Sequence, residues 1–178
     1  MFFLLGVFVF AAESKNDVVE LLLSSVSTKL FSEEPVTNEM VETVIRCGIS
    51  APSAGNRQPW RFTVVRNVKL MQAIIPGNVW GNVLIVVWGK MEEENNVDFD
   101  CALATAYMYL AAQSLGLGAR IYTGFLNRID AEIRETLGIE EGYRPVAVLR
   151  IGKIKKDIDV VSFPSPRKPR DQVVNYVK

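Results

Sequence analysis

Residues 51–60 read "APSAGNRQPW": two prolines, a glycine, an asparagine and a glutamine lie between a pattern of helical period and one that alternates. A turn of about four residues could join the same two elements, since connections in compact domains are commonly that short. Pro52 stops the preceding helix, because its ring disfavours helical backbone in the residue before it. Pro59 leads into an extended stretch. A connector this polar and this rigid has a task besides joining, and loops held on a scaffold are where binding groups concentrate.

The flanks define the fold. In "TNEMVETVIRCGIS" (37–50), Met40, Val41, Val44, Ile45 and Ile49 recur near helical spacing behind Thr37, a hydroxyl N-cap. "NDVVELLLSS" (16–25) predicts an earlier helix capped by Asn16, and Pro35 turns the chain between the two. "RFTVVR" (61–66) alternates Phe62 and Val64 against Arg61 and Thr63, a half-buried strand. "VLIVVWG" (83–89) is apolar on both parities, which predicts a central strand covered on both faces. From Asp98 to Gly118 the pattern predicts a long helix capped by Asp98 or Asp100 and ended by "GLG". Its alanines at 102, 104, 106, 111 and 112 leave little bulk between backbone and neighbours, which places it along an interface in the middle of the molecule. "ARIYTG" reads as a short strand, Asp130 to Leu137 as a helix with Ile129, Ile133 and Leu137 on one face, and "RPVAVLRIG" as the last strand. Helices and strands mixed in this way predict one layered α+β domain.

Composition narrows the function. The 178 residues carry 20 Lys+Arg against 20 Asp+Glu, so no basic face for a nucleic acid is expected. A hydrophobic share of 49% and a mean hydropathy of +0.15 are high for a small monomer and point to subunit interfaces. The chain has no histidine, which excludes a Ser-His-Asp triad, a Cys-His pair and any His-ligated zinc; no metal site is expected. Cys47 and Cys101 are far apart in helical stretches and outside any CxxC, so they read as buried apolar thiols. Chemistry in such a chain falls to a bound cofactor.

The two ends differ from the middle. "MFFLLGVFVFAA" (1–12) has the shape of a secretory apolar region, but no Lys or Arg precedes it and it is too short to span a bilayer. A cytoplasmic protein without stable membrane association is expected, with export through this segment as the alternative and packing on a partner subunit as its structural role. Residues 13–154 form the expected domain. Residues 155–178, with "SFPSPRKPRDQVVNYVK", form a Pro-rich basic arm lying on a surface, its own or a partner's.

Two nucleotide motifs are excluded. In "GLGARIYTG", Gly116 and Gly118 close a helix and lead into a strand, the reverse of the order a dinucleotide fingerprint needs. No GxxxxGK[ST] occurs.

The landmarks "SVSTKLF", "EEPVTNEMVETVIRCGIS", "APSAGNRQPWRFTVV" and "AAQSLGLGARIYTGF" follow one another in the order seen in FMN-dependent nitroreductases, and from about Asn16 onward the chain resembles that family. The P-S-x-x-N-x-Q-P-W core is far more specific than a glycine motif. The resemblance implies a central, mainly antiparallel sheet flanked by helices in an intertwined homodimer, with FMN at the subunit interface and the C-terminal arm crossing to the partner.

It also implies roles for residues. Ser25, Ser27, Thr28 and Lys29 fall in the segment that contacts the flavin phosphate and ribityl chain, and Arg167 with Lys168 in the C-terminal phosphate contact. Pro52, Ser53, Ala54 and Asn56 meet the flavin of the opposite subunit, while Gln58 and Trp60 hold loop and core. Asn78 matches a pyrimidine-edge asparagine, and the backbone at Thr123 and Gly124 approaches flavin N5. No side chain is expected as catalytic acid or base. At Ser25 or Val26 the family carries an arginine that this chain lacks, which predicts weaker FMN binding. The implied activity is ping-pong reduction of nitroaromatics, quinones or similar flat acceptors by NADH or NADPH. A flavin-binding module without efficient turnover and a reductive dehalogenase-like member are the alternatives; the short spacing around "VLIVV" leaves no room for the large lid of the latter.

Overall fold

The structure is a computed structural model, and it describes residues 17–92, 96–155 and 162–177. The apolar segment 1–12 and the Asn16 cap lie outside the described residues, as does the middle of the acidic stretch "KMEEENNVDFD".

Four strands form one sheet: β1 (Trp60–Val65), β2 (Val83–Lys90), β3 (Gly118–Tyr122) and β4 (Tyr143–Gly152), in the order β1-β2-β4-β3 with every pair antiparallel. The registers run from Trp60↔Gly89 to Val65↔Leu84, from Val83↔Ile151 to Lys90↔Tyr143 and from Gly118↔Gly152 to Tyr122↔Val148. Every residue of β2 from Val83 to Gly89 is buried, which the two-parity apolar run predicts.

Alternation along β2 builds two cores. Val83, Ile85 and Val87 face α2 (Asn38–Ile49) and α4 (Val97–Ser114), where Val41, Val44, Cys101, Ala104, Met108 and Ala112 close the layer. Leu84, Val86 and Trp88 face α3 (Val68–Ile74) and α5 (Ala131–Thr136), through Met71, Ile74 and Ile133, with Ile129 from the turn before α5. A short helix α1 (Asp17–Ser24) precedes them and buries none of its residues.

The caps follow from local chemistry. Thr37 Oγ1 accepts from Met40 N at 3.2 Å, and Asp130 Oδ1 accepts from Ile133 N at 2.9 Å. Each such cap contributes about 1 kcal/mol. Asn67 does the same for α3, a helix the sequence reading passed over. At the end of α4, Gly116 takes φ 73°, Leu117 N donates to Ala112 O and Gly116 N to Gln113 O, a Schellman ending that stops the helix four residues short of Gly118.

The start of α4 corrects an expectation. The cap position is Asn96, in left-handed backbone with no side-chain cap bond, and Asp98 and Asp100 lie inside the helix. Asp98 pairs with Arg144 at 2.5 Å on the surface. Asp100 turns inward for a reason the helix alone does not reveal.

The segment before α2 is stitched along the β3–β4 end of the sheet. Thr28 and Ala119 exchange two hydrogen bonds: Thr28 N donates to Ala119 O at 3.0 Å and Ala119 N donates to Thr28 Oγ1 at 3.2 Å. Phe31 bridges Ile154, and Ser32 N and Lys155 N donate to Lys153 O and Leu30 O. Arg150, buried on β4, completes the seam. Its Nε and Nη2 donate to Asn82 Oδ1 at 2.8 and 2.6 Å, its guanidinium lies 4.1 Å from the Phe31 ring centroid, and burial pulls its pKa below the ordinary value. These bonds fix where residues 25–29 emerge.

Candidate functional site

Residues 25–29 leave the seam beside the end of α4 and meet the C-terminal arm. Together they line a cavity of about 280 Å³ formed by Ser25, Ser27, Lys29, Tyr109, Phe163 and Arg167, with Val26 and Ser165. Lys29 N donates to Ser162 Oγ at 2.8 Å, and Lys29 Nζ stands 5.3 Å from the Phe163 ring centroid. Arg167 Nη1 donates to Ser165 O at 3.1 Å, which leaves the rest of its donor fork uncommitted within that contact. Two cations thus converge from opposite ends of the sequence. Lys168, one residue on, is exposed and does not line the cavity.

The other residues of this segment have settled tasks. Ser25 Oγ donates its proton to Leu22 O at 3.2 Å and closes α1. Val26 N donates to Gln113 Oε1 at 3.2 Å, so Gln113, which sequence reasoning did not single out, ties the segment to α4; its buried Nε2 has no partner among the described residues. The Thr28 side chain serves the sheet edge. Ser27 is exposed at the cavity with Lys29.

The decapeptide has a different character. Gly55, Asn56 and Gln58 all hold positive φ, at 58°, 54° and 51°. For Gln58 this left-handed backbone costs about 1–2 kcal/mol, and for Asn56 less, since asparagine tolerates it better than most residues. The loop offsets that cost with bonds of its own: Gln58 N donates to Ser53 Oγ at 3.0 Å and Gln58 Nε2 to Asn56 Oδ1 at 3.1 Å. Ala54 N donates to both carboxylate oxygens of Asp100, at 3.1 and 3.2 Å. Trp60 is buried and stacks on Phe62 with 6.4 Å between centroids. Gln58 and Trp60 therefore hold loop and core, as expected from the sequence. Pro52 and Asn56 are exposed at its surface.

Within one chain the two groups stay apart: none of Pro52, Ser53, Ala54 and Asn56 lines the cavity of Lys29 and Arg167. Asn78 joins neither. It is buried, and its Nδ2 donates to Met71 O at 3.3 Å and Ile75 O at 2.6 Å, capping α3, while its buried Oδ1 has no partner among the described residues. Thr123 and Gly124 are exposed at the end of β3, beside the tilted ring contact of Tyr122 and Phe125.

The family model described as nitroreductase family matches residues 24–82 and 79–153, which spans the seam, the loop and all four strands. The chain belongs to the nitroreductase family. A protein of Methanothermobacter thermautotrophicus, provisionally named NADH dehydrogenase/NAD(P)H nitroreductase, is 31% identical over 151 residues, 78% of this chain and 78% of that one. One of Archaeoglobus fulgidus with the same provisional name is 29% identical over 156 residues, 81% of this chain and 89% of its own length. Among solved structures, one described as a nitroreductase in complex with FMN from Desulfovibrio desulfuricans superposes with a TM-score of 0.79 at 26% identity, covering 93% of this chain and 99% of that one. The antiparallel sheet with helices on both faces is the fold of this family.

Proposed function

We propose that the chain is an FMN-dependent oxidoreductase, working as a homodimer, that uses NADH or NADPH to reduce nitroaromatics, quinones or similar flat acceptors. The observation that carries this reading is the cavity in which Lys29 and Arg167 converge beside the Ser27 hydroxyl.

The donor set fits a phosphate monoester. Such a group carries about two negative charges and three acceptor oxygens. Lys29 supplies a point charge, Arg167 a planar fork and Ser27 a neutral donor. Ser25, with its proton given to Leu22 O, offers lone pairs and no donor in this arrangement. Where the family has an arginine this chain keeps one fewer cation, so the phosphate grip is looser and more sensitive to salt.

Ser53 and Asn56 would serve the flavin held by the partner subunit, and the C-terminal arm would lie across that partner. Residues 170–177 support this: Val173, Tyr176 and Val177 are exposed large side chains that lie outside both cores of the described residues. FMN bound there would supply the two-electron transfer, which amino-acid side chains of this kind do not carry. The protein's part is to hold the flavin ring at a fixed loop, to present backbone at Thr123 and Gly124, and to leave an open face for flat acceptors. No described helix is long and apolar enough to cross a membrane.

The test is anaerobic titration of the purified protein loaded with FMN. Bleaching of the flavin absorbance by NADH or NADPH, with recovery on adding a quinone, is the expected result. Flavin that binds and does not bleach identifies the binding module without turnover, and a protein that takes up no FMN overturns the reading.

A further inference from the structure

Asp100 is 1% exposed, and among the described residues no lysine or arginine pairs with its carboxylate. A carboxylate taken out of water without a cation is costly, so such groups persist where their hydrogen bonds are needed. Both oxygens of Asp100 accept from one donor, the Ala54 N–H. Its position in the first turn of α4 gives it the favourable end of the helix dipole, and this is the residual compensation for the buried charge. Asp100 is thus spent on a loop 46 residues upstream.

That loop needs an outside anchor. Between Ser53 and Gln58 the bonds of Gln58 to Ser53 and Asn56, of Asn56 N to Ser53 O and of Arg57 N to Ala54 O are internal and would move with it, and at the far end of the connector Pro59 O accepts from Lys90 N on β2. Asn56 and Gln58 hold positive φ without being glycine, a conformation that relaxes unless the surroundings fix it. The Asp100 carboxylate bridges the rigid α4 helix to the residue between Pro52-Ser53 and Asn56, the groups proposed to face the flavin.

We infer that Asp100 is a positioning residue for the flavin: by holding Ala54 N–H it sets the place of Ser53 and Asn56, and flavin affinity depends on its acceptor oxygens rather than on its charge. The inference rests on the FMN reading above, and the experiment separates the two. Asp100→Ala removes the acceptor; Asp100→Asn keeps one acceptor oxygen without the charge; Asp98→Asn removes a neighbouring charge that pairs with Arg144 on the surface. FMN dissociation constants are measured for all four proteins by flavin fluorescence, and amide exchange of residues 53–58 is measured without FMN.

Loss of a hydrogen bond to a charged acceptor predicts about tenfold weaker FMN binding for Asp100→Ala or more. Asp100→Asn should remain within about threefold of the parent, and Asp98→Asn should match it. In the FMN-free protein, Ala54 should exchange faster in Asp100→Ala and stay protected in Asp100→Asn, with far-UV circular dichroism unchanged in both. Equal loss in the Ala and Asn variants would assign the effect to charge and overturn the inference, as would parent-like affinity or parent-like Ala54 protection in Asp100→Ala. A parent protein that takes up no FMN while Ala54 behaves as predicted would leave the loop anchor standing and remove the flavin from it.

Discussion

Residues 25–29 with their tail partner, and residues 52–58, are the two halves of the proposed site, and they are built on opposite physical terms. The first half has charge and few bonds: Lys29 touches the arm through its backbone N–H and through the Phe163 ring, and Phe163 is itself 62% exposed. The second half carries one cation, Arg57, and is otherwise neutral groups held by bonds within the loop and to Asp100. A phosphate can be gripped loosely, because Coulomb attraction tolerates a displaced partner. A flat ring with a polar edge is matched by fixed groups, where a small displacement loses the hydrogen bond. The division fits a charged half that grips loosely and a loop that accepts strained backbone at Asn56 and Gln58.

Removing the charge should produce the largest effect. Each charge-assisted contact to a phosphate is worth about 1.5–3 kcal/mol, so Lys29→Met combined with Arg167→Leu should weaken FMN binding by about 100-fold or more. Salt distinguishes this half from the other. Raising salt from about 0.05 to 0.5 M should weaken FMN binding to the parent protein markedly, and the double variant should lose that dependence. Dialysis in high salt that leaves the parent fully loaded would show that geometry, not charge, dominates both halves.

The loop gives a smaller effect with a different signature. Asn56→Gly removes the amide while keeping a residue suited to φ 54°, and should weaken FMN about tenfold with the salt dependence intact. Asn56→Leu should lose at least as much affinity and also about 1 kcal/mol of stability, since leucine resists left-handed backbone. Thermal melts of the two FMN-free variants beside their flavin titrations separate strain from recognition. Unchanged affinity in Asn56→Gly would reduce the decapeptide to a connector.

Much of this organisation was legible in the residues. Period-two and both-parity apolar patterns located β1 and β2, Thr37 announced its cap, Asp130 marked the start of α5, and the glycines after Leu115 announced the end of α4. What was not legible depended on partners distant in sequence. Asp98 and Asp100 look like caps because local chemistry favours acids there, yet the need of Ala54 for an acceptor draws Asp100 into the interior. Asn67 signalled α3, but seven residues are too few for periodicity to speak. Arg150 sits in a strand pattern where nothing nearby foretells Asn82 and Phe31 as its partners. Among the site residues named from the resemblance, the convergence of Lys29 with Arg167 appears in the cavity, whereas the side chains of Thr28 and Asn78 are committed to the sheet edge and to α3.

The smallest effect expected is a silence, and it bears on the rigid half. Cys101 follows Asp100 on α4, is fully buried and offers its Sγ to Trp88 O at 3.6 Å. Burial first, and then the charges of Asp98 and Asp100, push its thiol from 9.0 to about 12. The folded pKa lies above the unfolded one, so this group's share of stability is intact below pH 9 and is lost as the pH climbs toward 12. At pH 9 roughly one folded molecule in a thousand carries the thiolate, which is the form that alkylates. Iodoacetamide at pH 8.5 should therefore leave Cys101 untouched in the folded protein, with half-buried Cys47 as the internal reference and both thiols labelled in denaturant. Labelling of Cys101 at a rate near that of Cys47 would mean that water reaches the helix turn that anchors Ala54. In that case the loop could not be the rigid member of the pair.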